Sequence, residues 1–282
     1  MKKIVYIVLH YGNSDTTIAC IESIFKASHR GSIIVVNNGE RNTESDRIRD
    51  KYKNVDVIVI DTGENLGFAR GLNYGIEYAS KKMKYDFVFL LNNDTEIISR
   101  NIEDLVEKAY SRVKFDVFGP DIISLDGVHC NPRKKRQYSV RSVRMMVLKT
   151  RVELWLLRLF GIDITKAGKH STAKNEVKTA MQDVEVHGSA FVLSNSFIKK
   201  EKCLFDKTFL YGEESILKYI CDRDGLLLYY DPIVKVLHKE ELSTKGQIKN
   251  EKTKRLFQLS NVLVSRKIFL RLIKDDKRKK NG

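Results

Sequence analysis

Short apolar runs rich in β-branched residues alternate with polar stretches of helical period along the first third of the chain. Four runs are predicted as strands: Ile4 to Leu9, Ser32 to Asn37, Val55 to Asp61 and Phe87 to Leu91. Three stretches between them are predicted as helices: Thr16 to Ala27, Glu44 to Lys53 and Ala69 to Lys82. Alternation of this kind is typical of crossover units that join parallel strands. The pattern therefore predicts an α/β fold with an open, mostly parallel sheet.

Further elements follow in the rest of the chain. A helix is predicted over 101–111, and strands over Asp116 to Ile123, Val184 to Leu193 and Leu226 to Leu237. In the last of these, Asp231-Pro232 is interpreted as a turn between two short runs. In an open sheet, ligands bind outside the carboxyl ends of the strands. We therefore expect Tyr11, Asn37, Asn38, residues 63–67 and residues 92–95 to converge on one crevice.

The net charge of +15 is concentrated in two segments. Residues 131–160 hold nine Lys or Arg and one Glu, and residues 245–282 hold thirteen Lys or Arg and three acidic residues. We interpret residues 130–182 as a basic insertion in a catalytic domain of residues 1–243, and residues 244–282 as a basic helical extension. A nucleic-acid binder is one candidate class for such charge. Aromatic residues do not interleave with the basic runs as stacking on bases requires, so nucleic acid is not the expected partner.

The insertion contains a basic amphipathic helix from Arg141 to Phe160, with apolar residues at helical spacing. Two interpretations stay open. Trp155, Leu156 and Phe160 can enter a bilayer interface while the arginines meet anionic lipid. Alternatively, Met145, Leu148, Val152 and Trp155 pack on the catalytic domain. The four cysteines without a Cys-x-x-Cys pair and the start without a cleavage signal indicate a cytoplasmic protein, with the inner membrane face as a candidate peripheral location.

Three groups of polar residues are candidates for chemistry. Asn92-Asn93-Asp94-Thr95 follows a buried strand, and its carboxylate suits Mg²⁺ or Mn²⁺, although a polar turn has the same composition. Glu64 to Gly75 leads from a strand into a helix that suits a pyrophosphate, or simply packs small residues on the sheet. Glu213 and Glu214 are adjacent carboxylates, of which one suits a general base with a raised pKa, and both equally suit a helix first turn. His238 ends an apolar run, where a metal ligand and a hydrogen-bonded boundary residue are both consistent.

Taken in order, these motifs resemble the family 2 glycosyltransferases, especially the bacterial rhamnosyltransferase-like branch. The matching segments are Ile34–Gly39, Asn65–Gly75, Leu90–Thr95, Gly119–Ile122, Gly188–Phe191, Leu204–Asp206, Phe209–Glu214 and His238. The resemblance extends over residues 3–243, with residues 130–182 unmatched. The resemblance implies a glycosyltransferase-A type fold, with an open mixed sheet flanked by helices.

The resemblance also implies roles for individual residues. It implies an inverting, metal-dependent hexosyltransferase that uses a nucleotide-diphosphate sugar and acts on a glycan or lipid-linked glycan, in cell-surface polysaccharide biosynthesis. Glu214, or in second place Glu213, would deprotonate the acceptor hydroxyl. Asp94 would hold a divalent Mn²⁺ or Mg²⁺ ion with His238 close by. The donor would be bound by a set of mostly polar residues: Tyr11, Asn37, Asn38, Asn65, Gly67, Arg70, Asn73, Asn92 and Asn93.

Some residues depart from the family pattern. Amides stand at Asn37 and Asn92, where the family often has acidic residues, so the first position of the usual Asp-x-Asp motif is an amide. Ile216 and Ile220 stand where an Asp and an Arg commonly follow the Glu pair. These departures keep a non-catalytic nucleotide-sugar binder open as an alternative.

Overall fold

The structure is a computed structural model that describes residues 2–28, 31–133, 135–163, 176–239 and 250–281. Its strands are β1 (Ile4–His10), β2 (Ser32–Asn37), β3 (Val57–Asp61), β4 (Phe87–Asn92), β5 (Thr95–Ile97), β6 (Val117–Ser124), β7 (Met181–Gln182), β8 (Ala190–Ser194) and β9 (Leu228–His238). Its helices are α1 (Ser14–Ala27), α2 (Thr43–Tyr52), α3 (Phe68–Lys82), α4 (Ile102–Val113), α5 (Val140–Phe160), α6 (Asn195–Glu201), α7 (Glu213–Asp224) and α8 (Glu251–Asn281).

The nine strands of the described residues belong to one mixed sheet, in the order β3-β2-β1-β4-β8-β6-β9-β5, with β7 paired to β9. The first four strands in the chain are parallel neighbours, and the register pairs His10 with Asn37 and Leu9 with Asn92. Their carboxyl ends therefore lie at one edge, as the sequence pattern predicts. From β8 onward the pairing is mainly antiparallel, with β6 and β9 parallel.

Helices cover both faces of the sheet because its strands carry apolar side chains on both sides. Along β1, Tyr6 and Val8 join the core beneath α1, α2 and α4, whereas Ile7 and Leu9 join the core beneath α3, α6 and α7. Every residue of β1 is buried. Continuous burial of this kind explains why the parallel strands appear in the sequence as unbroken apolar runs rather than alternating ones.

Two strand predictions are wrong in detail. The predicted turn at Asp231-Pro232 lies inside the continuous strand β9. The pairing with β6 jumps there from Gly119–Tyr230 to Asp121–Lys235, so the missing N–H of Pro232 costs no hydrogen bond in that ladder. The predicted strand from Val184 to Leu193 is reduced to β8, since pairing with β4 starts at Ala190. The short elements β5, β7 and α6 were not predicted.

The two basic segments come together in the fold. Helix α5 packs along α8, and we call α5 and α8 the helical pair. Arg266 of α8 donates hydrogen bonds to the carbonyl of Met146 and the hydroxyl of Thr150. A separate apolar cluster joins the pair to α7 through Val143, Ile216, Ile220, Phe269 and Ile273. Residues 164–175 of the predicted insertion and 240–249 around the predicted domain boundary lie outside the described residues.

Helix α5 leaves a row of large apolar side chains exposed. We call this the apolar row, and it consists of Met145, Leu148, Val152, Trp155 and Leu159, which are 47–62% exposed. The alternative in which the first four of these side chains pack on the catalytic domain is therefore wrong. Val143, Val147, Leu154 and Leu157 are the buried apolar residues of this helix instead. No helix in the described ranges combines the length and apolarity needed to cross a membrane.

Candidate active site

The carboxyl ends of β1 and β4 are joined by the side chain of Asn93. Its amide nitrogen donates to the carbonyl of Tyr11 at 3.2 Å and to the hydroxyl of Thr17 at 3.1 Å. Asn93 is buried, whereas Tyr11 is 37% exposed at the rim. The parallel register thus brings together two residues that lie 82 positions apart. Asn93 therefore fixes the loop that carries Tyr11.

At the next strand end, Asn37 contacts a carboxylate that the motif analysis did not include. The Asn37 amide donates to Asp61 at 2.7 Å, and Arg49 pairs with the other oxygen of Asp61 at 2.5 Å. Burial alone would raise the pKa of Asp61, but the hydrogen bonds from Arg49 and Asn37 lower it below its usual value. An ionised carboxylate therefore stands beside the amide that occupies the usual acidic position. Asp61 is the last residue of the predicted strand β3. Its position at a strand end is the feature of the sequence that could have identified Asp61 as a site residue.

Asn38 holds the turn that follows β3. Its amide nitrogen donates to Asn65 at 3.2 Å and to the carbonyl of Gly67 at 3.0 Å, and its oxygen accepts from the N–H of Leu66 at 3.0 Å. Asn65 in turn accepts from the N–H of Gly67. Asn38 is only 4% exposed. The structure thus brings Asn38 to residues 65–67, and Asn38 and Asn65 shape this turn.

Gly67 connects this turn to the loop before α7. It has φ +82° and ψ −167°, a conformation that only glycine adopts readily. A Cβ placed there would lie 2.3 Å from the carbonyl oxygen of Phe209. The same carbonyl accepts a hydrogen bond from the N–H of Phe68 at 2.9 Å. The absence of a side chain at Gly67 therefore lets the two sides of the crevice meet.

Arg70 and Asn73 differ in their surroundings. Arg70 is exposed in the first turn of α3, where a helix N-terminus favours an anion. Asn73 uses both ends of its amide on the backbone of Leu204, at 2.8 Å each. The structure therefore gives Asn73 a positioning role across the crevice. Its predicted proximity to a diphosphate stays a prediction.

Asp94 and His238 meet through the pairing of β5 with β9. Thr95 is the register partner of His238, and the carbonyl of Asp94 accepts from the N–H of Lys239. Asp94 Oδ1 lies 3.4 Å from His238 Nε2, and both side chains are less than 10% exposed. Asn92 is half-buried at the end of β4, and its N–H donates to the carbonyl of Ser189.

A second histidine, His187, lies between this pair and the carboxylates of α7. The rings of His187 and His238 contact edge to face, with centroids 5.3 Å apart. Burial lowers the pKa of His187, so its imidazole is neutral near pH 7. His187 lies outside the predicted motifs, although it directly precedes the Gly188–Phe191 segment. His187 thereby links the two halves of the site.

Glu214 is held by groups from two other segments. Arg133 lies 3.6 Å from Glu214 Oε1, and the Gly188 N–H donates to the same oxygen at 3.3 Å. Burial alone would raise the pKa of Glu214, but the charge of Arg133 and the hydrogen bond from Gly188 help to lower it below its usual value. Arg133 also contacts Glu185, 3.5 Å away. Glu214 is consequently a carboxylate at neutral pH.

Glu213, the adjacent residue, behaves differently. Burial raises the pKa of Glu213 to about 7, and the neighbouring Glu214 charge adds to this increase. The expected contrast between the two carboxyl groups is therefore present, with the raised pKa at Glu213 rather than Glu214. Both groups line a small apolar cavity with Phe68, Phe191 and Leu217.

The residues present fit a divalent cation in part. Two donors bound to one ion at right angles lie about 3 Å apart, so the 3.4 Å between Asp94 Oδ1 and His238 Nε2 suits a shared ion. Within the described ranges, no group of three or more His, Cys, Asp or Glu side chains is arranged to hold a metal. A cation held by this pair would take its other ligands from phosphates and water, as Mg²⁺ commonly does.

The architecture defines the class of protein. It resembles a solved structure of GalNAc-T7 with UDP, GalNAc and Mn²⁺, with a TM-score of 0.56 and 15% identity over 84% of this chain and 44% of the other. The fold is of the glycosyltransferase-A type, as the sequence resemblance implied. The model of glycosyl transferase family 2 matches residues 6–175, and the chain belongs to this family. That range includes 130–175, which the motif comparison left unmatched.

Two relatives show the breadth of this similarity. The low-salt glycan biosynthesis hexosyltransferase Agl10 of Haloferax volcanii is 24% identical over 199 residues, which are 71% of this chain and 57% of the relative. The poly-beta-1,6-N-acetyl-D-glucosamine synthase of Staphylococcus aureus is 31% identical over 96 residues, which are 34% of this chain and 22% of the relative. The chain thus matches little more than half the length of the first relative and under a quarter of the second.

Proposed function

We propose that the protein transfers a hexosyl group from a nucleotide-diphosphate sugar to a glycan acceptor, with inversion at the anomeric carbon. One observation carries this proposal: the Asp94–His238 pair and the ionised Glu214 lie on either side of His187. This arrangement supports the proposal, because the pair suits a departing diphosphate and Glu214 suits proton removal. The family membership supports the same chemistry.

The strand ends supply the donor side of the proposed site. Tyr11 at the rim and the Asn37–Asp61 pair offer an aromatic face and hydrogen-bonding groups to a nucleoside. Arg70 and the N-terminus of α3 suit the diphosphate. Asn38 and Asn65 act through the turn that they hold, so we assign them positioning roles.

Asp94 and His238 would hold a divalent cation in this proposal. A mixed oxygen and nitrogen donor set favours Mn²⁺ over Mg²⁺, which prefers oxygen. When bound, such an ion neutralises the negative charge of the leaving diphosphate. The neutral His187 adds no competing positive charge beside the pair.

Glu214 is the proposed general base. Its carboxylate takes the proton of the acceptor hydroxyl, and the hydroxyl oxygen forms a bond to the anomeric carbon. The bond from that carbon to the phosphate oxygen breaks, and the diphosphate leaves with the electron pair. Because no protein nucleophile intervenes, this single displacement inverts the configuration. Glu213, with its raised pKa, is the second candidate for the same proton.

The acceptor follows from weaker support. One relative is named for glycan biosynthesis and the other for polysaccharide synthesis. We propose a glycan or lipid-linked glycan acceptor in cell-surface polysaccharide biosynthesis. The transferred hexose is identified by testing a panel of nucleotide-sugar donors. The panel includes dTDP-rhamnose because the motifs resemble a rhamnosyltransferase-like branch.

Ligand-induced stabilisation tests the donor site. Binding to the native state raises the melting temperature, and UDP, dTDP, GDP and CMP are compared with and without Mn²⁺. We expect one nucleoside diphosphate to stabilise the protein in a metal-dependent manner, and Asp94→Ala to lose the metal-dependent part. Failure of every nucleotide to stabilise a folded sample contradicts the proposed donor site.

Transfer itself is tested with the donor that binds. Glu214→Gln keeps the shape of the side chain but cannot accept the proton, so turnover should fall by roughly 100-fold or more. Its donor-induced stabilisation should persist. Retained turnover in Glu214→Gln together with lost turnover in Glu213→Gln moves the base to Glu213. A non-catalytic binder would bind donor and show no turnover in the unmodified protein.

A further inference from the structure

The apolar row of α5 lies directly opposite the face by which α5 joins the fold. Val143, Val147 and Leu154 are buried, whereas Leu148, 51% exposed, and Trp155, 54% exposed, point away from them. At 100° per residue the five members of the row fall within one quarter of the helix circumference. Side chains of this size along four turns form a continuous apolar ridge on the surface.

Positive charge borders this ridge on one side. Arg144 and Arg151 of α5 face a stripe on α8 across a shallow groove. We call it the basic stripe, and it consists of Lys267, Arg271, Lys274 and Arg278, all exposed and spaced along one line of the helix. Among the described residues that line this groove, Asp275 alone is acidic.

We propose that this face of the helical pair docks on an anionic phospholipid bilayer, with the apolar row entering the interface and the basic stripe at the headgroups. An apolar ridge beside a cationic flank is the arrangement by which helices lie in a membrane surface. Each cation near an anionic leaflet adds attraction. Trp155 contacts Phe160 edge to face, 5.4 Å between centroids, and amphipathic aromatics favour the headgroup level.

Charge argues against a second copy of this chain as the occupant. A twofold dimer uses the same patch on both subunits, so the basic stripe of one copy would approach that of the other. Like charges brought together in this way oppose association. An anionic lipid surface, by contrast, complements both parts of the patch.

The docking face connects to the candidate active site through the segment before α5. The Tyr138 hydroxyl is hydrogen-bonded with Glu185 and with the hydroxyl of Ser215 in the first turn of α7. Arg133 reaches Glu214 itself. A bilayer on this face would therefore lie one helix layer from the proposed base. Binding to lipid is measured without donor or acceptor, so its failure and that of sugar transfer are separate results.

The chain contains one tryptophan, Trp155, so its fluorescence reports on this face alone. The full-length protein is mixed with vesicles of phosphatidylcholine, with or without phosphatidylglycerol. We expect a blue shift and quenching by brominated lipid chains with the anionic vesicles, weakened by added salt. An unchanged spectrum with anionic vesicles overturns the proposal.

Two variants with matched controls separate the parts of the surface. Arg271→Glu/Lys274→Glu/Arg278→Glu should weaken vesicle binding at least about tenfold, while Lys53→Glu/Lys82→Glu/Lys84→Glu, with the same change in net charge, should change it much less. Leu148→Ser/Val152→Ser retains Trp155 and should also bind weakly. Its control, Val55→Ser/Leu125→Ser, removes exposed apolar residues elsewhere.

Other binding partners of this face would give different results. A concentration-dependent dimer in sedimentation analysis, broken by Leu148→Ser/Val152→Ser, would assign the face to a second copy and overturn the proposal. Salt-sensitive binding to nucleic acid without vesicle binding would overturn it as well. Equal loss of vesicle binding in the triple-charge control would show that total charge, not the basic stripe, is responsible.

Discussion

The candidate active site at the strand ends and the helical pair organise their polar groups in opposite ways. At the strand ends, polar side chains bond to backbone or to each other, as Asn38 does in the Gly67 turn and Asn73 does at Leu204. On the helical pair, the cations of the basic stripe face solvent beside an apolar row. The first arrangement fixes the geometry of a site, as chemistry requires. The second leaves a surface free to meet something that is not part of the chain.

The largest expected effect is at the seam between these regions. Phe269 of α8 is 2% exposed and contacts the rings of Tyr138 and Tyr219. Phe269→Ala should lower the free energy of unfolding by about 3 to 5 kcal/mol. Phe257→Ala, at an exposed position of the same helix, is the control and should cost under about 0.5 kcal/mol. Equal effects in urea denaturation would mean that α8 is not anchored at this seam.

A somewhat smaller effect on stability is expected at Gly67 in the candidate active site. Gly67→Ala forces a Cβ against the carbonyl of Phe209 and into a backbone conformation that alanine avoids, at a cost of about 3 kcal/mol. Gly63 also has positive φ, but a Cβ there meets no atom within 4 Å among the described residues. Gly63→Ala should therefore cost only about 1 kcal/mol. Thermal unfolding of both variants separates the clash from the backbone strain, and equal losses would show that the contact with Phe209 contributes nothing.

The two regions also differ in how much the sequence predicts. Strands β1, β2 and β4 are largely buried and β3, at the edge of the sheet, is half-buried, so their apolar runs identify all four within a few residues. Their order fixes which strand ends meet, and the convergence of Tyr11 with Asn93 follows from it. The short strand β5 escapes prediction because three residues carry no period, yet its pairing with β9 brings Asp94 to His238.

Contacts between distant segments account for what the sequence did not predict. Ile216 and Ile220, which depart from the family pattern, pack in one apolar cluster with Phe269 and Ile273 of α8. Nothing local to α7 indicates a partner some 50 positions away. Arg133 is likewise one of many basic residues in its segment until the fold places it at Glu214. The apolar row has the same helical period as a buried face, so periodicity alone does not distinguish the two.

The raised pKa of Glu213, in contrast to the lowered pKa of Glu214, predicts a pH-dependent contribution to stability. Burial raises the pKa of Glu213 from 4.5 to about 7, so the folded state binds a proton that the unfolded state releases within that window. Stability due to this group is present below about pH 4.5 and is lost as pH rises through 7. Glu213→Gln mimics the protonated group and should gain up to about 3 kcal/mol over the unmodified protein by about pH 8, and little near pH 4.

A carboxylate with the opposite shift is the control for Glu213. Hydrogen bonds from the hydroxyl and the N–H of Ser14 lower the pKa of Glu44, so its stabilisation is present at neutral pH and lost as pH falls through the lowered value. Glu44→Gln should therefore be less stable than the unmodified protein at neutral pH, with a difference that shrinks in acid. Melting temperatures of each variant and of the unmodified protein, measured across pH, give the pH dependence of the stability difference for both variants. Slopes of the same sign in the two variants contradict the assigned shift of Glu213.

The smallest expected effect defines the character of the docking face. Leu148→Ala removes a side chain that is 51% exposed, so the free energy of unfolding should change by less than about 0.5 kcal/mol. Leu154→Ala, the same substitution on the same helix at a 6% exposed position, should cost about 2 kcal/mol or more. A large loss at both positions would mean that the apolar row is packed in solution, and the distinction between a fixed site and a free surface would fail. A loss at Leu154 alone leaves the row available to a partner, because the fold does not depend on it.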